Sequence, residues 1–144
     1  MPKKLVFLLL FLPCFVQISF SQAFDIKTFN ELKKATNKIE FVSSAKAANL
    51  TVEEDLASEC IFAKKKGCLY TKPLGVKSNN EFYDLILIVS TLNKENNKQI
   101  LKNASEDPNK KGTWTDKEYL YIEWDTENPI SKEMWYKVLV YKKN

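Results

Sequence analysis

Two stretches near the C-terminus decide the fold: residues 114–125 read WTDKEYLYIEWD, and residues 134–143 read MWYKVLVYKK. Aromatic and β-branched side chains dominate both stretches, and these residue types are enriched in strands. Pro129 lies in the connection between them. We therefore predict that the two stretches are the paired strands of an antiparallel hairpin.

The simplest register of this hairpin pairs Asp125 with Met134 and, as a consequence, Tyr121 with Val138. Because side chains alternate along a strand, the hairpin then has two distinct faces. One face carries Leu120, Ile122, Trp124, Trp135 and Leu139, and the other carries Tyr119, Tyr121, Glu123, Tyr136, Val138 and Val140. A slip of one residue would exchange the two faces.

A third strand is predicted just before these two. Residues 81–91 read EFYDLILIVST, and apolar side chains fall on both alternating faces, as in a strand covered on two sides. Residues 93–104 predict a polar helix, and residues 105–113, which contain Pro108 and Gly112, predict a loop.

The N-terminal half predicts helices. Thr28 and Glu31 match a capping box, which predicts a short helix over residues 29–36. Residues 39–42 have strand character, and residues 44–48 have helix character. The chain is therefore predicted to be an α+β protein with N-terminal helices packed on a C-terminal antiparallel sheet.

Residues 51–68 can be interpreted in two ways. Thr51 and Glu54 match a second capping box, apolar residues follow at helical spacing, and Gly67 suits the end of a helix. A helix is therefore predicted here. The alternative makes Cys60 and Cys68 partners in a β-hairpin with the sequence KKKG at its tip.

Cys60 and Cys68 are predicted to form a disulfide, because an even number of cysteines in an exported chain favours pairing. Cys14 is removed with the leader described next. Two free thiols are the alternative interpretation.

Residues 1–21 have the pattern of an export signal. Lys3 and Lys4 form the positive region, and residues 5–12, LVFLLLFL, form the apolar region. The small residues before Gln22 favour cleavage at that position. We therefore predict a signal peptide over residues 1–21, a single domain over residues 22–144, no membrane span after cleavage, and a secreted or periplasmic location.

The composition argues against several functional classes. All 22 basic residues are lysine, and the chain has no histidine, so a Ser-His-Asp triad is impossible and the commonest zinc ligand is missing. Removing Lys3 and Lys4 leaves 20 lysines against 18 acidic residues. Such a balanced charge gives little attraction for nucleic acid. No cofactor, no metal and no nucleic-acid partner are therefore expected.

The aromatic residues of the hairpin are the candidate site. Tyrosine and tryptophan bury large areas while keeping a polar tip, so they suit binding surfaces. The leading hypothesis is a small non-enzymatic binding module, inhibitor-like or immunity-like, that recognises a protein or a surface glycan. Its candidate ligand-binding residues are Tyr119, Tyr121, Trp124, Trp135 and Tyr136.

The alternative hypothesis is a small helix-on-sheet enzyme that uses carboxylate acid/base chemistry. Asp84, a carboxylate within an apolar strand, and Glu123 are the candidate acid and base. This alternative requires a deep pocket that holds one of them beside a second titrating group.

Overall fold

The structure is a computed structural model that describes residues 24–75 and 81–144. The predicted signal peptide, residues 1–21, lies outside the described residues. The three helices are α1 (Ile26–Lys34), α2 (Lys38–Ala47) and α3 (Glu95–Ile100). The eight strands are β1 (Thr51–Asp55), β2 (Cys60–Lys65), β3 (Cys68–Pro73), β4 (Tyr83–Thr91), β5 (Ser105–Glu106), β6 (Thr113–Thr115), β7 (Tyr119–Glu127) and β8 (Met134–Lys143). Within the described segments, no helix has both the length and the apolar character needed to cross a bilayer.

All eight strands belong to one antiparallel sheet, in the order β1-β2-β3-β4-β8-β7-β6-β5. The chain runs through β1 to β4 in sequence, crosses by way of α3 to the far edge, and returns through β5, β6 and β7. β8 therefore lies between β4 and β7, where it joins the two halves of the sheet. The predicted α+β class is confirmed, and strand content exceeds helix content.

The helix predicted over residues 51–66 is wrong. A hairpin forms between β2 and β3 instead, but Cys60 pairs with Pro73 and Cys68 pairs with Lys65, so the two cysteines are not the partners that the alternative required. β1 and β2 pair with each other, and β2 turns into β3 at Gly67, whose positive φ of 76° suits a glycine. Ile61 and Ala63 alternate on β2 and are both fully buried. Pairing satisfies the same backbone groups that a helix would, and it also delivers these two side chains to the core. The sheet is therefore not confined to the C-terminal half of the chain.

The C-terminal hairpin forms, but its register differs from the predicted one by two residues. Asp125 pairs with Tyr136 rather than with Met134, because Met134 pairs with Glu127 and the connection is shorter than expected. The N–H of Asn128 donates to the carbonyl of Glu133 and closes this connection. A shift of two residues keeps every side chain on the same face, so the predicted division of the hairpin into two faces is correct.

Two helix boundaries also differ from expectation. α1 begins three residues earlier than predicted, because the side chain of Asp25 caps it by accepting from the N–H groups of Lys27 and Thr28. α2 is continuous, so residues 39–42 are helical rather than extended. Its N-cap is Asn37, whose side chain accepts from the N–H of Glu40.

The hydrophobic core draws on both helices and strands. Its helical members include Phe29, Leu32, Phe41, Ala45 and Ile100, and its strand members include Ile61, Ala63, Tyr70, Leu87, Val89, Tyr121, Val138 and Val140. Each of these strand residues occupies the same face of the sheet, as the strand registers require. We call this face the Val89 face, and the opposite one the Ile88 face.

The predicted disulfide is absent, and both Cys60 and Cys68 are free thiols. Cys68 lies opposite Lys65, five residues along β2 from Cys60. At about 3.3 Å per residue this separates the two cysteines by roughly 16 Å along the strand. A disulfide needs Cα atoms within about 7 Å, and here the two side chains also lie on opposite faces of the sheet.

This geometry predicts unequal thiol reactivity. Cys68 is buried, and burial raises the pKa of its thiol to about 11, whereas Cys60 is half-exposed. A maleimide at pH 8 should label Cys60 in the folded chain and should label Cys68 only after unfolding in urea. Peptide mass mapping distinguishes the two sites. Labelling of Cys68 at the rate of Cys60, or a mass increase on reduction, would contradict the structure.

Candidate functional site

The five candidate aromatic residues do not form one surface. Tyr119, Tyr121 and Tyr136 lie on the Val89 face, whereas Trp124 and Trp135 lie on the Ile88 face. Tyr121 is 2% exposed and belongs to the core, whereas Trp124 is 59% exposed. The structure therefore separates the predicted site into two regions, each of which has neighbours that the sequence did not indicate.

The Ile88 face carries a continuous row of side chains across five strands. The row runs in order through Phe62, Thr71, Ile88, Leu139 and Ile122, each directly opposite the next. All five are half-buried, and the four apolar members lie outside the hydrophobic core cluster. Sequence reasoning missed Phe62, because it assigned that residue to a helix, and it predicted no strand at Thr71.

Further apolar side chains flank this row. Leu69, Leu85, Leu120, Trp135 and Tyr141 share the same face and are also half-buried. Trp124 lies at one end of a second row, next to Lys137, and Lys137 lies next to Ser90. The Ile88 face is therefore a broad area of half-buried aliphatic and aromatic side chains.

Charge is sparse in the middle of this face. Lys64 and Glu53 form an ion pair, with 2.9 Å between Nζ and Oε1, near the β1 edge of the sheet. Lys137 lies near the centre of the face, and within the described part of the chain no carboxylate comes within 4 Å of its ammonium group. The middle of the face therefore presents one positive charge among apolar side chains.

The second region lies on the Val89 face, around Lys33 of α1. The Lys33 ammonium is 4.3 Å from the centre of the Tyr119 ring and donates to the Tyr121 hydroxyl at 3.2 Å. The Tyr121 hydroxyl in turn donates to Oδ2 of Asp116 at 2.8 Å. The other Asp116 oxygen accepts from the N–H groups of Glu118 and Tyr119, at 2.8 Å and 2.7 Å.

The pKa values of the ionisable groups in this region shift in different directions. Burial lowers the pKa of Lys33, although the charges of Asp116 and Glu118 act in the other direction. The pKa of Asp116 is lowered overall. Partial burial acts to raise it, but hydrogen bonds from Tyr119, Tyr121 and Glu118 and the positive charge of Lys33 outweigh that effect. Burial, reinforced by Asp116, raises the pKa of Tyr121. Asp116 is therefore a carboxylate held ionised.

The carboxylates of the alternative enzyme hypothesis are not brought together. Asp84 lies opposite Lys142, at the level of Tyr119, whereas Glu123 is two strands away and four residues further along β7. These offsets correspond to roughly 10 Å across the sheet and 13 Å along it. Glu123 accepts from Trp114 Nε1 at 2.8 Å and from Asn97 Nδ2 at 3.2 Å. Both of its oxygens are thus engaged in holding α3 and β6 against β7.

Comparison with known proteins gives no match: no family model, no curated protein and no solved structure matches this chain. Among residues 24–75 and 81–144, no cluster of three or more histidine, cysteine, aspartate or glutamate side chains could hold a metal ion.

The Asp116 network predicts an acid-sensitive contribution to stability. The pKa of Asp116 is lower in the folded chain than in the unfolded chain, where it is about 4. The ionised carboxylate therefore stabilises the folded state fully above about pH 4, and this contribution is lost as the pH falls through the folded-state pKa. Asp116→Asn should reduce the free energy of unfolding at pH 7 by about 1–2 kcal/mol. The difference from the wild type should shrink towards pH 2.5.

Urea unfolding curves at both pH values test this prediction. Glu118→Gln is the matched control, since Glu118 is an exposed acid in the same turn, and its difference from the wild type should be small at both pH values. A constant deficit for Asp116→Asn between pH 7 and pH 2.5 would refute the role assigned to the carboxylate.

Proposed function

We propose that this chain is an exported, non-enzymatic binding protein whose Ile88 face docks a protein partner. The observation that carries the proposal is the apolar row of Phe62, Ile88, Leu139 and Ile122 on a face whose side chains stand outside the core cluster. The export signal over residues 1–21 supports delivery of this surface outside the cytoplasm.

The positions of the helices indicate that, among residues 24–75 and 81–144, no helix covers the Ile88 face. Phe29 and Leu32 of α1, and Phe41 and Ala45 of α2, share one core cluster with side chains of the Val89 face. We infer that these helices pack over the Val89 face. The same elements then cannot also shield the Ile88 face.

The chemistry of the Ile88 face is unusual for a surface that meets water. An antiparallel sheet with one solvated face normally alternates apolar side chains inward with polar ones outward. Here the outward side chains of β8 include Leu139 and Tyr141, and those of β7 include Leu120, Ile122 and Trp124. Contiguous apolar areas of this kind mark interaction sites.

A protein fits this surface better than a glycan does. The central side chains are aliphatic, whereas glycan sites depend on exposed aromatic rings and polar groups, and Trp124 is the one strongly exposed ring of this face in the described residues. Lys137 adds a requirement for charge, since an ammonium enclosed by a partner needs a carboxylate opposite it. We therefore expect an apolar partner surface that carries an acidic side chain facing Lys137.

Site-specific photo-crosslinking tests the proposal directly. A photoreactive amino acid is placed at Trp124 in one variant and at Leu139 in a second, and each is expressed in the native host and irradiated. Both positions should yield the same protein adduct, since both lie on the Ile88 face. Ile130 is the control position because it is 93% exposed but lies in the connection between β7 and β8. Mass spectrometry of the adduct identifies the partner, including a second copy of the chain.

The absence of a shared adduct at Trp124 and Leu139 would reject the Ile88 face. An adduct that forms equally from Ile130 would indicate nonspecific collision, and an adduct that contains only carbohydrate would reject a protein partner.

Substitution of the exposed tryptophan should weaken partner binding without destabilising the fold. Trp124→Ser should change the free energy of unfolding by no more than about 0.5 kcal/mol, because the side chain is already largely solvated. It should nevertheless weaken the affinity for the captured partner by roughly thirtyfold, since the loss of an aromatic hot-spot contact typically costs about 2 kcal/mol of binding free energy. Ile130→Ser removes a comparable exposed apolar side chain and should leave affinity unchanged. Equal losses in the two variants would contradict the prediction.

The charge of Lys137 gives an independent prediction. Lys137→Glu should place two like charges across the interface, whereas Lys137→Met retains the stem and removes the charge. Affinity measured by calorimetry should fall further for Glu than for Met. The opposite order would exclude an acidic group opposite Lys137.

A further inference from the structure

A cleft distinct from the Ile88 face lies between α1, the turn after α3, and the turn between β6 and β7. Two adjoining cavities of about 810 Å³ and 330 Å³ form it, and both are lined by Asn30, Lys33, Asn103 and Asp116. A volume of this size is typical of small-molecule sites. The cleft lies on the Val89 side of the sheet, because Tyr121, a core residue of that face, lines the smaller cavity.

Lys33 is the unusual group in this cleft. Its ammonium is held against the rings of Phe29, Tyr119 and Tyr121, at 5.4 Å, 4.3 Å and 5.6 Å from their centres. Aromatic faces attract a cation but satisfy none of its N–H donors by conventional hydrogen bonds. The Tyr121 hydroxyl accepts one of the three donors, so two remain for a ligand.

The charges around the cleft favour a ligand with a single negative charge. Lysines 33, 34, 102 and 117 line the cavities, whereas the acidic lining residues are Asp116 and Glu118. Asp116 is ionised, but three donors within the chain already occupy its two oxygens. The net positive charge attracts an anion, and the two carboxylates disfavour one that carries a double charge.

The remaining lining groups favour a hydroxylated ligand. The amides of Asn30 and Asn103 and the hydroxyl of Ser105 both donate and accept hydrogen bonds. The Thr115 hydroxyl donates to carbonyls of the chain and can accept a hydrogen bond from a ligand. Such groups match a polyol rather than an apolar acid. We propose that this cleft binds a small hydroxylated carboxylate of sugar-acid size, with the carboxylate on the ammonium of Lys33.

Isothermal titration of the full chain with D-glucuronate tests the proposal, with D-glucose as the neutral match and inorganic phosphate as the alternative anion. Glucuronate should bind saturably, and the other two should not. Lys33→Met should weaken the affinity for glucuronate at least about tenfold, which corresponds to the loss of a charge-assisted hydrogen bond. Lys27→Met is the matched control, because Lys27 is an exposed lysine of the same helix that does not line the cleft.

Asn103→Leu is a second variant that keeps the test decisive if Lys33→Met fails to fold. Asn103 is exposed and lines both cavities. An apolar leucine side chain at this position should therefore obstruct the cleft and weaken glucuronate binding without unfolding the chain. The proposal would be overturned if glucuronate did not bind saturably. It would also be overturned by equal binding of glucose or phosphate, or by unchanged affinity in the folded Lys33→Met or Asn103→Leu variant. Each outcome is independent of the docking proposed for the Ile88 face.

Discussion

The pairing of β8 with β4 on one side and β7 on the other is the constraint on which the rest of the structure depends. It joins two groups of strands that arise from separate parts of the chain. Val138 and Val140 of β8 are fully buried, whereas Leu139 between them points to the opposite face and is half-buried. Because strand side chains alternate strictly, the same pairing directs Tyr121 towards Lys33 and Ile122 away from it. Both candidate surfaces therefore follow from one register.

Lysine supplies the polar contacts between α1 and the sheet in a chain that has no arginine. Lys72 is 7% exposed and donates to the carbonyl of Ala35 at 3.1 Å, where α1 ends. Burial lowers its pKa, although the charge of Glu40 acts in the other direction. A cation at the C-terminal end of a helix also interacts favourably with the helix dipole. Lys33 differs, since aromatic rings rather than carbonyls surround its ammonium and leave donors for another molecule.

The accuracy of the sequence predictions follows the strength of the local signal. β8 was predicted with its observed limits and β4 to within two residues, because β-branched and aromatic residues fill both. The β1–β2 hairpin was assigned to a helix, because the Thr51 capping box and apolar residues at helical spacing imitate a helix start. Strand pairing outweighed that local preference, since a helix there would not have delivered Ile61 and Ala63 to the core. The disulfide prediction failed because an even number of cysteines says nothing about geometry, and the β2–β3 register places Cys60 and Cys68 far apart along the strands.

The candidate site was predicted in part. The aromatic hairpin was found, and Trp124 and Trp135 lie on a half-exposed face, whereas Tyr121 is sealed within the core. The partners of these residues come from distant segments. Phe62 reaches the Ile88 face through β2, and Lys33 reaches Tyr119 from a helix more than eighty residues away in sequence. No local pattern marks such contacts.

The amino-acid sequence by itself determined the two strands at the C-terminus and the division of their side chains into two faces. That division withstood a register error of two residues, because the side-chain period of a strand is two. Only the tertiary structure decided which face joins the core and which remains half-exposed. Both faces are rich in apolar and aromatic residues, and hydrophobic burial is non-directional. The outcome therefore depends on where the helices and the other strands pack, which no short stretch of sequence encodes.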